Sequence, residues 1–493
     1  MIFSSLLFLT IFLVAVLFCY YLIPNRLYRN IVLCVFSLFF YAWGEPVCVI
    51  IMIFSIFMNY TAGIIIGKCE RKGNKAGKKA ALIVAVVLNL LMLGVFKYTP
   101  LVFDTLKAII PPLRSVATPI AKQVFYKSLS GIIPQLANVK ITAEGMLPIG
   151  ISFYTFQAMS YVIDVYRGDT GVQKNPMIFG TYVALFPQLI AGPIVRYKDI
   201  EDQLWGRRES IEQFTSGVKM FMIGLAKKIL IANQVALLWN GLRSDPMTNG
   251  AIGSWVGMVA YSLQIYFDFA GYSDMAIGLG RMFGFEFLKN FDYPYISQSN
   301  TEFWRRWHIS LGTWFREYVY IPLGGNRKGM KRQIFNLAVV WALTGLWHGA
   351  SWNFVLWGIW HGFFVVIEKL FLGKWLKKWP RVLRHVYSLL VAGLGWMLFD
   401  FTNMKELFRF LGSMFSFKVG VISHDALTLT LSYLPLLIAA IVASTPLAAN
   451  IRRKFNGKAW AEYVDIVLIL IALVFCLASL VASGYNPFIY FRF

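Results

Sequence analysis

Repeated apolar segments constrain this chain more than any other feature of its sequence. The hydrocarbon core of a bilayer is roughly 30 Å thick, and a helix of about 20 apolar residues crosses it. The clearest candidate spans are residues 1–23, 47–67, 80–96, 252–283, 383–401, 427–448 and 464–482. Shorter or polar-interrupted candidates are residues 31–43, 147–165, 177–195, 214–238 and 334–367. The pattern predicts an all-α polytopic membrane protein with about eleven to thirteen transmembrane or partly crossing elements.

Composition and charge agree with a membrane protein. The 493 residues are 58% hydrophobic and 14% charged, whereas a soluble domain is roughly 45–50% apolar and about 25% charged. The formal net charge of +23 could suggest nucleic acid, but the basic residues stand in short clusters between apolar runs. We therefore predict a lipid bilayer as the partner and exclude nucleic acid.

The basic clusters predict the orientation of the chain, because cytoplasmic loops carry an excess of Lys and Arg. Four clusters are predicted to be cytosolic: Lys68 to Lys79, Arg327 to Arg332, Lys374 to Arg384 and Arg452 to Lys458. Both termini are then extracellular, in a multi-pass protein of the cell membrane. The first span lacks a basic start and a cleavage site, so it is predicted to be retained. The longest outer stretch, residues 98–145, is too short and mixed for a glycan-binding domain.

The five cysteines point to no covalent framework. Cys19, Cys34, Cys48, Cys69 and Cys476 lie mostly inside apolar segments and show no CxxC spacing. Such spacing would indicate a zinc or redox site. The sequence therefore predicts no disulfide framework and no metal.

One apolar stretch is too long for a single span. Residues 334–367 would extend about 50 Å as a helix at 1.5 Å per residue. We predict a hairpin that turns near Gly349, Ala350 and Ser351. His348 stands beside this turn, so it is expected deep in the membrane or toward its outer half.

Two histidines stand among tryptophans. His308 lies in FWRRWHISL and His348 in GLWHGASW. An imidazole in such surroundings is costly unless it is hydrogen-bonded or used, and a neutral imidazole can act as general base toward a hydroxyl. A satisfied packing histidine remains the alternative for both. His361, His385 and His424 are interpreted as structural.

Basic and aromatic residues surround His308. Arg305, Arg306 and Arg316 lie near Trp304, Trp307, Trp314 and Phe315. The pattern is typical of a helix lying at the membrane interface. It also fits an arginine cluster that binds phosphates.

Polar residues interrupt the span at 252–283. Gln264, Asp268 and Asp274 recur there, and carboxylates in a span normally pair or line a wet cavity. They could line a transport path or hold neighbouring helices, and for Asp268 the second interpretation is favoured. Pro and Gly in residues 147–154 and 186–193 predict broken backbone around a central cavity.

Four motifs carry a resemblance to a known family. They are WRRWHISL from Trp304, WFREY from Trp314, IPLGGNR from Ile321 and GLWHG from Gly345. In this order they resemble the membrane-bound O-acyltransferase (MBOAT) superfamily, most closely its alginate O-acetyltransferase branch. The resemblance runs from about residue 147 to His361, and the last hundred or so residues carry no matching motif.

The resemblance implies a ring of helices around a central tunnel and assigns roles to residues. His348 and His308 take the catalytic positions. Arg305, Arg306 and Arg316, with Trp304 and Trp307, are the expected donor-binding residues. Asp268, within the matching motif Phe267 to Tyr272, is expected to be scaffold, and the tunnel or scaffold set also includes Gln264, Asp274, Trp347 and Asn353.

The resemblance also implies the reaction. An acetyl group would pass from cytosolic acetyl-CoA, a donor substrate, through the tunnel to the outer side, with no bound cofactor. It would then O-acetylate an exported or cell-wall polysaccharide through a separate extracellular SGNH-type acetyltransferase. The whole chain, residues 1–493, would be one acyltransferase domain with N-terminal spans at 1–97, a motif-bearing core at 147–367 and C-terminal spans at 383–493.

Two other functions remain open. A D-alanyl transferase of the same superfamily would take its acyl group from a carrier protein to teichoic acid. The length of the chain and the run from Pro322 to Arg327 favour the acetyltransferase. A transporter would use Asp268 and Asp274 as ion ligands, and it leaves the histidine motifs unexplained.

Overall fold

The computed structural model describes residues 1–110, 147–482 and 488–489. Within these ranges every regular element is a helix. Most of the predicted outer stretch at 98–145 and nearly all of the C-terminal tail after residue 482 lie outside the described residues. The described chain forms two compact units, one of residues 1–2 and 7–208 and the other of residues 3–6 and 209–493.

The first unit contains the N-terminal spans. Its helices are α1 (Phe8–Leu22), α2 (Arg26–Gly44), α3 (Cys48–Arg71), α4 (Lys75–Tyr98), α5 (Thr99–Ile109), α6 (Ile151–Arg167), α7 (Pro176–Ala184), α8 (Phe186–Leu189) and α9 (Tyr197–Gly206). Asparagine side chains begin three of them: Asn25, Asn74 and Asn175 accept backbone N–H groups in the first turns of α2, α4 and α7. Such caps satisfy donors that have no partner within the helix.

The predicted broken backbone at residues 186–193 is confirmed: α7 ends at Ala184, and the four-residue α8 ends at Leu189. The backbone N–H of Phe186 donates to Ser37 Oγ at 3.0 Å. The side-chain amide of Gln188 donates to the carbonyl of Tyr182 at 2.5 Å. Both bonds satisfy backbone groups that the break takes out of the helix, which is what irregular backbone at membrane depth requires.

The second unit contains both candidate histidines. Its helices are α10 (Ile211–Ser244), α11 (Gly250–Met282), α12 (Asn300–Arg306), α13 (Ile309–Phe315), α14 (Gly329–His348), α15 (Trp352–Leu376), α16 (Arg381–Asp400), α17 (Met404–Ser413), α18 (His424–Ala443), α19 (Leu447–Lys454) and α20 (Ala459–Ala482). The predicted hairpin is confirmed as α14 and α15, which are separated by Gly349, Ala350 and Ser351.

Glycines bring α10 and α11 into backbone contact. A Cβ at Gly217 would lie 2.6 Å from the carbonyl oxygen of Gly278, and one at Gly224 would lie 2.5 Å from that of Gly271. Small residues let membrane helices approach this closely. The close approach sets the lysines of α10 against the carboxylates of α11.

The all-α polytopic membrane fold is confirmed. Eight helices in the described part of the chain are long and apolar enough to cross a membrane: α2, α3, α4, α10, α15, α16, α18 and α20. The shorter apolar helix α1 accompanies them. Helices α11 and α14 are also long but fall outside that set, so the number of membrane elements stays a prediction.

Candidate active site

The α14–α15 hairpin positions His348. A Cβ at Gly345 would lie 2.5 Å from the carbonyl oxygen of Phe354, and one at Gly358 would lie 2.5 Å from that of Trp341. The two helices therefore pack backbone to backbone just before and after the turn. His348 is the last residue of α14 and is buried where the two helices meet.

Aromatic rings enclose the imidazole of His348. Its centroid lies 4.7 Å from that of Trp357, 5.1 Å from Trp347 and 5.3 Å from Phe399, all with edge-to-face geometry. Side chains held by close packing keep a fixed orientation, as a catalytic group requires. The predicted position beside the turn is confirmed.

His308 has an unusual backbone conformation. It precedes α13 with φ 48° and ψ 54°, in the left-handed region, and its side chain is buried. Non-glycine residues persist there only when their surroundings hold them, and such residues cluster at functional sites. Here the holding residue is Asn290, whose backbone carbonyl accepts the N–H of Ile309 at 2.9 Å.

The side chain of Asn290 also fixes the tautomer of His308. Its Oδ1 accepts the backbone N–H of Ser310 at 3.2 Å and the hydroxyl of Ser310 at 2.9 Å. A backbone N–H only donates, so this atom is the amide oxygen. His308 Nδ1 lies 3.1 Å from the same oxygen and must donate a proton to it. The lone pair then remains on Nε2, which has no hydrogen-bond partner among the described residues.

Burial keeps His308 neutral. The side chain is enclosed, and loss of solvation lowers the pKa of this imidazole below its ordinary value. A neutral imidazole with its lone pair on Nε2 can accept a proton.

Trp347 joins the two candidate histidines. Its ring centroid lies 5.8 Å from His308 and 5.1 Å from His348. Phe269, beside Asp268 on α11, packs edge-on against His308 at 4.8 Å. The structure therefore brings together His308, His348 and Trp347, which the sequence had selected separately.

A third histidine, His361, shares a tryptophan neighbour with His348. The ring of His361 lies 5.1 Å from that of Trp357, which also lies 4.7 Å from that of His348. Its Nδ1 lies 3.1 Å from Asn300 Oδ1, and Asn300 in turn donates to the His361 carbonyl at 3.2 Å. A Cβ at Gly395 would lie 2.4 Å from His361 Nε2, so α16 packs directly against that nitrogen. This packing supports the structural interpretation of His361.

The predicted carboxylates are ion-paired. Asp268 pairs with Lys228 where both side chains are only 3% exposed, and it accepts the backbone N–H of Ile489 at 2.9 Å. Asp274 pairs with Lys227 at 2.6 Å. Both pairs join α10 to α11, so the contacts agree with the scaffold interpretation. These contacts give no support to the transporter hypothesis, in which the two carboxylates bind ions.

The other two members of the tunnel or scaffold set lie in different places. Asn353 accepts a hydrogen bond from the Ser351 hydroxyl and donates to the carbonyl of Phe399 at 3.1 Å, so it ties the hairpin turn to α16. Gln264 lies one turn before Asp268 on α11, and its Oε1 is buried with no partner in the described part of the chain.

The predicted donor-binding residues have different surroundings. Arg306 donates to Glu302 at 3.0 Å and lies 3.3 Å from Asp292. Arg305 and Arg316 are exposed. Trp304 packs against Trp341 and His361, and Trp307 stacks on Phe303. Both tryptophans therefore pack among other aromatic side chains. The donor-binding roles of all five residues stay predictions.

Sequence reasoning did not select Asn290. It stands 18 positions before His308 with no motif around it, and asparagine at a turn normally satisfies local backbone. Phe269 was included only as part of the matching motif Phe267 to Tyr272, and Phe399 was not selected, because aromatic residues are frequent throughout this chain. Among the described residues, no group of three or more His, Cys, Asp or Glu side chains could hold a metal ion.

Comparison with known proteins places these residues in context. A sequence profile of the MBOAT, membrane-bound O-acyltransferase family, matches residues 171–406. The probable alginate O-acetylase AlgI of Azotobacter vinelandii is 39% identical over 100% of both chains. The peptidoglycan O-acetyltransferase of Helicobacter pylori is 30% identical over 79% of this chain and 74% of its own. The teichoic acid D-alanyltransferase of Bacillus subtilis is 27% identical over 51% of this chain and 68% of its own.

Proposed function

Because this chain belongs to the membrane-bound O-acyltransferase family and is a multi-pass O-acyltransferase of its alginate O-acetylase branch, we propose that it acetylates an exported or cell-wall polysaccharide. The donor is cytosolic acetyl-CoA, and the acetyl group leaves on the outer side of the cell membrane. Similarity over the full length to alginate O-acetylases and over most of the chain to a peptidoglycan O-acetyltransferase supports a polysaccharide acceptor.

The observation that carries this proposal is the pair of buried histidines on either side of Trp347. His308 presents an unprotonated Nε2 there, because Asn290 accepts the proton of Nδ1. Both imidazoles are buried among aromatic side chains. This arrangement suits acyl transfer, because the protein must take a proton from the acceptor hydroxyl at a place that excludes bulk water.

The proposed reaction needs only a hydroxyl acceptor and the acetyl thioester. An acceptor hydroxyl oxygen attacks the thioester carbonyl, and an imidazole takes its proton as the carbon–oxygen bond forms. The carbon–sulfur bond then breaks, and the thiolate receives that proton to leave as the free thiol of coenzyme A. We assign His348 as the general base and His308 as the second imidazole of the site. The step uses no metal and no bound cofactor.

The acceptor hydroxyl belongs to a separate protein in this proposal. The outer stretch of residues 98–145 is short and mixed in composition, which suits docking better than polysaccharide binding. We propose an extracellular SGNH-type acetyltransferase that takes the acetyl group and passes it to the polymer. Arg305, Arg306 and Arg316, with Trp304 and Trp307, remain the proposed donor-binding set.

Reconstitution tests this function. The purified chain in liposomes, given acetyl-CoA on its cytosolic face, should hold or hydrolyse the thioester slowly and should not acetylate polymer. Addition of the extracellular acetyltransferase should restore polymer acetylation. Polymer acetylation without a second protein would refute the two-component reaction, and no turnover of acetyl-CoA under either condition would refute the donor.

The D-alanyl transferase is the second candidate. The similarity to a teichoic acid D-alanyltransferase favours it but covers only 51% of this chain. In the same liposomes, a D-alanyl thioester on a carrier protein should give no transfer. Efficient transfer from that donor would replace acetyl-CoA in the proposal.

Membrane orientation is tested separately. After removal of the native cysteines, Asn74→Cys and Gly329→Cys should resist an impermeant thiol reagent in intact cells, whereas Asn486→Cys should react. The expectation follows from the basic clusters beside Asn74 and Gly329. Labelling of Gly329→Cys from outside would overturn the proposed depth of His348.

A further inference from the structure

A basic cleft lies at the end of the α14–α15 hairpin away from His348. The cleft has a volume of about 700 Å³ and is lined by residues of α12, α14, α15 and α16. Five basic side chains line it: Arg305, Lys369, Lys374, Lys377 and Arg384. Only two acidic side chains line it, Glu302 and Glu368.

Both carboxylates of the cleft are already engaged. Glu302 accepts from Arg306 at 3.0 Å. Glu368 accepts the backbone N–H of Asn300 at 2.7 Å, that of Thr301 at 2.9 Å and the hydroxyl of Tyr387 at 3.0 Å. Arg306 balances the charge of Glu302, and Glu368 keeps its negative charge, so the five basic side chains still give the cleft a net positive charge.

The basic side chains lack partners within the described part of the chain. None of the five has an acidic group within 4.0 Å among those residues. Arg384 is the most informative, because its Nε is buried and has no hydrogen-bond partner among the described residues. A buried donor without an acceptor is costly, so a ligand that supplies oxygen atoms there would be favoured.

Phosphate is the ligand chemistry that fits this arrangement. Guanidinium groups bind phosphate oxygens through paired N–H donors, and ammonium groups add compact charge. Resting on the proposed function, we propose that this cleft binds the phosphate groups of the acyl donor, which are those of coenzyme A. Arg305 is then the member of the predicted arginine set that serves the donor here, because Arg306 is held by Glu302 and Asp292.

The position of the cleft suits a donor that reaches His348. Leu337 lines the cleft and stands on α14, the helix that ends at His348. The separation along that helix is about 16 Å at 1.5 Å per residue. Phosphates held in the cleft would leave the thioester arm free to extend along the hairpin.

Direct binding tests the cleft. The purified full-length protein in phosphatidylcholine nanodiscs would be titrated with coenzyme A, as wild type, Lys377→Gln, Arg384→Gln and Lys378→Gln. Lys378 is exposed, adjacent and outside the cleft, so it is the matched control. The dissociation constant should rise about tenfold in each cleft variant, the effect of losing one charge-assisted hydrogen bond, and should stay near wild type in Lys378→Gln.

A folding defect is separable from a binding defect. Arg384→Lys keeps the charge and should retain part of the affinity that Arg384→Gln loses, because lysine lacks the paired donors. Thermal unfolding in the same nanodiscs identifies any variant that is destabilised. Lys377 is exposed, so Lys377→Gln is expected to fold normally and tests the cleft even if the Arg384 variants are unstable.

The outcomes distinguish this inference from the proposed function. Coenzyme A binding that is equal in wild type and cleft variants would overturn the cleft and leave the donor intact. Failure of coenzyme A to bind, with cleft-dependent binding of a phosphopantetheine thioester on a carrier protein, would overturn the acetyl-CoA donor and support the cleft. Cleft-dependent retention of phosphatidylglycerol alone, measured by native mass spectrometry, would make it a lipid site and overturn the inference.

Discussion

Two histidines of the second unit are held in the same way, and their surroundings differ. His308 and His361 each lie with Nδ1 3.1 Å from an asparagine oxygen, of Asn290 and Asn300 respectively. Each is one tryptophan away from His348, through Trp347 and Trp357. The histidine–asparagine bond alone therefore does not distinguish a catalytic group from a packing group.

The differences lie in the backbone conformation and in the glycine contact at His361 Nε2. His308 adopts a left-handed conformation at the junction of α12 and α13, whereas His361 lies inside the regular helix α15. The Nε2 of His361 packs against Gly395 so closely that no Cβ fits there. Strain of the first kind marks functional sites, and packing of the second kind marks a core. The left-handed backbone of His308 therefore supports the proposal that His308, and not His361, acts together with His348.

The largest effect is expected from His348→Ala. Acyl transfer should fall by about 10² to 10⁴, the contribution typical of a general base. Some loss of thermal stability is also expected, because the substitution leaves a cavity among Trp347, Trp357 and Phe399, so activity is expressed per folded molecule. Glycan acetylation in cells and a thermal shift of the purified protein measure the two effects. Wild-type acetylation by a well-expressed variant would remove His348 from the site.

The comparison itself is tested by His308→Ala against His361→Ala. The first should lower turnover per folded molecule strongly, though less than His348→Ala. The second should lower the melting temperature, because it leaves a cavity among Trp304, Trp341 and Trp357. Turnover per folded molecule should then be near wild type in His361→Ala. Loss of turnover in His361→Ala with normal turnover in His308→Ala would make His361 the functional histidine and His308 the packing histidine.

Asn290 provides a smaller and more specific test. Asn290→Ala should lower activity about tenfold, because His308 loses the bond that holds its tautomer. Asn290→Asp should move the acidic limb of the pH–rate profile to higher pH, since a carboxylate stabilises the imidazolium and raises its pKa. Asn300→Ala is the matched control and should leave the profile unchanged. An identical profile in all three variants would make Asn290 a purely structural residue.

The smallest effect on activity is expected from Gly395→Ala. The added Cβ would meet His361 Nε2, and overpacking of this kind typically costs about 1 to 3 kcal/mol. Thermal unfolding should therefore occur at a lower temperature. Turnover with saturating acetyl-CoA should hardly change, and a selective loss of turnover at normal stability would bring His361 into the chemistry.

Features that depend on neighbours along the chain could be predicted from local sequence patterns. Span length and apolar content gave the all-α membrane fold, and the excess length of residues 334–367 gave the hairpin with His348 beside its turn. The histidine motifs and their family likeness selected His308 and His348. The predictions of the fold and of the hairpin hold because helix formation and membrane insertion respond to local composition; the roles of the two histidines stay predictions.

Only the tertiary structure decided which distant residues meet. Asn290 bonds to His308, Lys228 and Lys227 pair with Asp268 and Asp274, and Arg306 is held by Glu302 and Asp292. The cleft likewise draws its lining from four helices. Contacts of this kind depend on how helices pack, and packing is set by shape and by backbone approach at glycines such as Gly345 and Gly358. A linear pattern specifies the face of each helix but not the side chain that it meets.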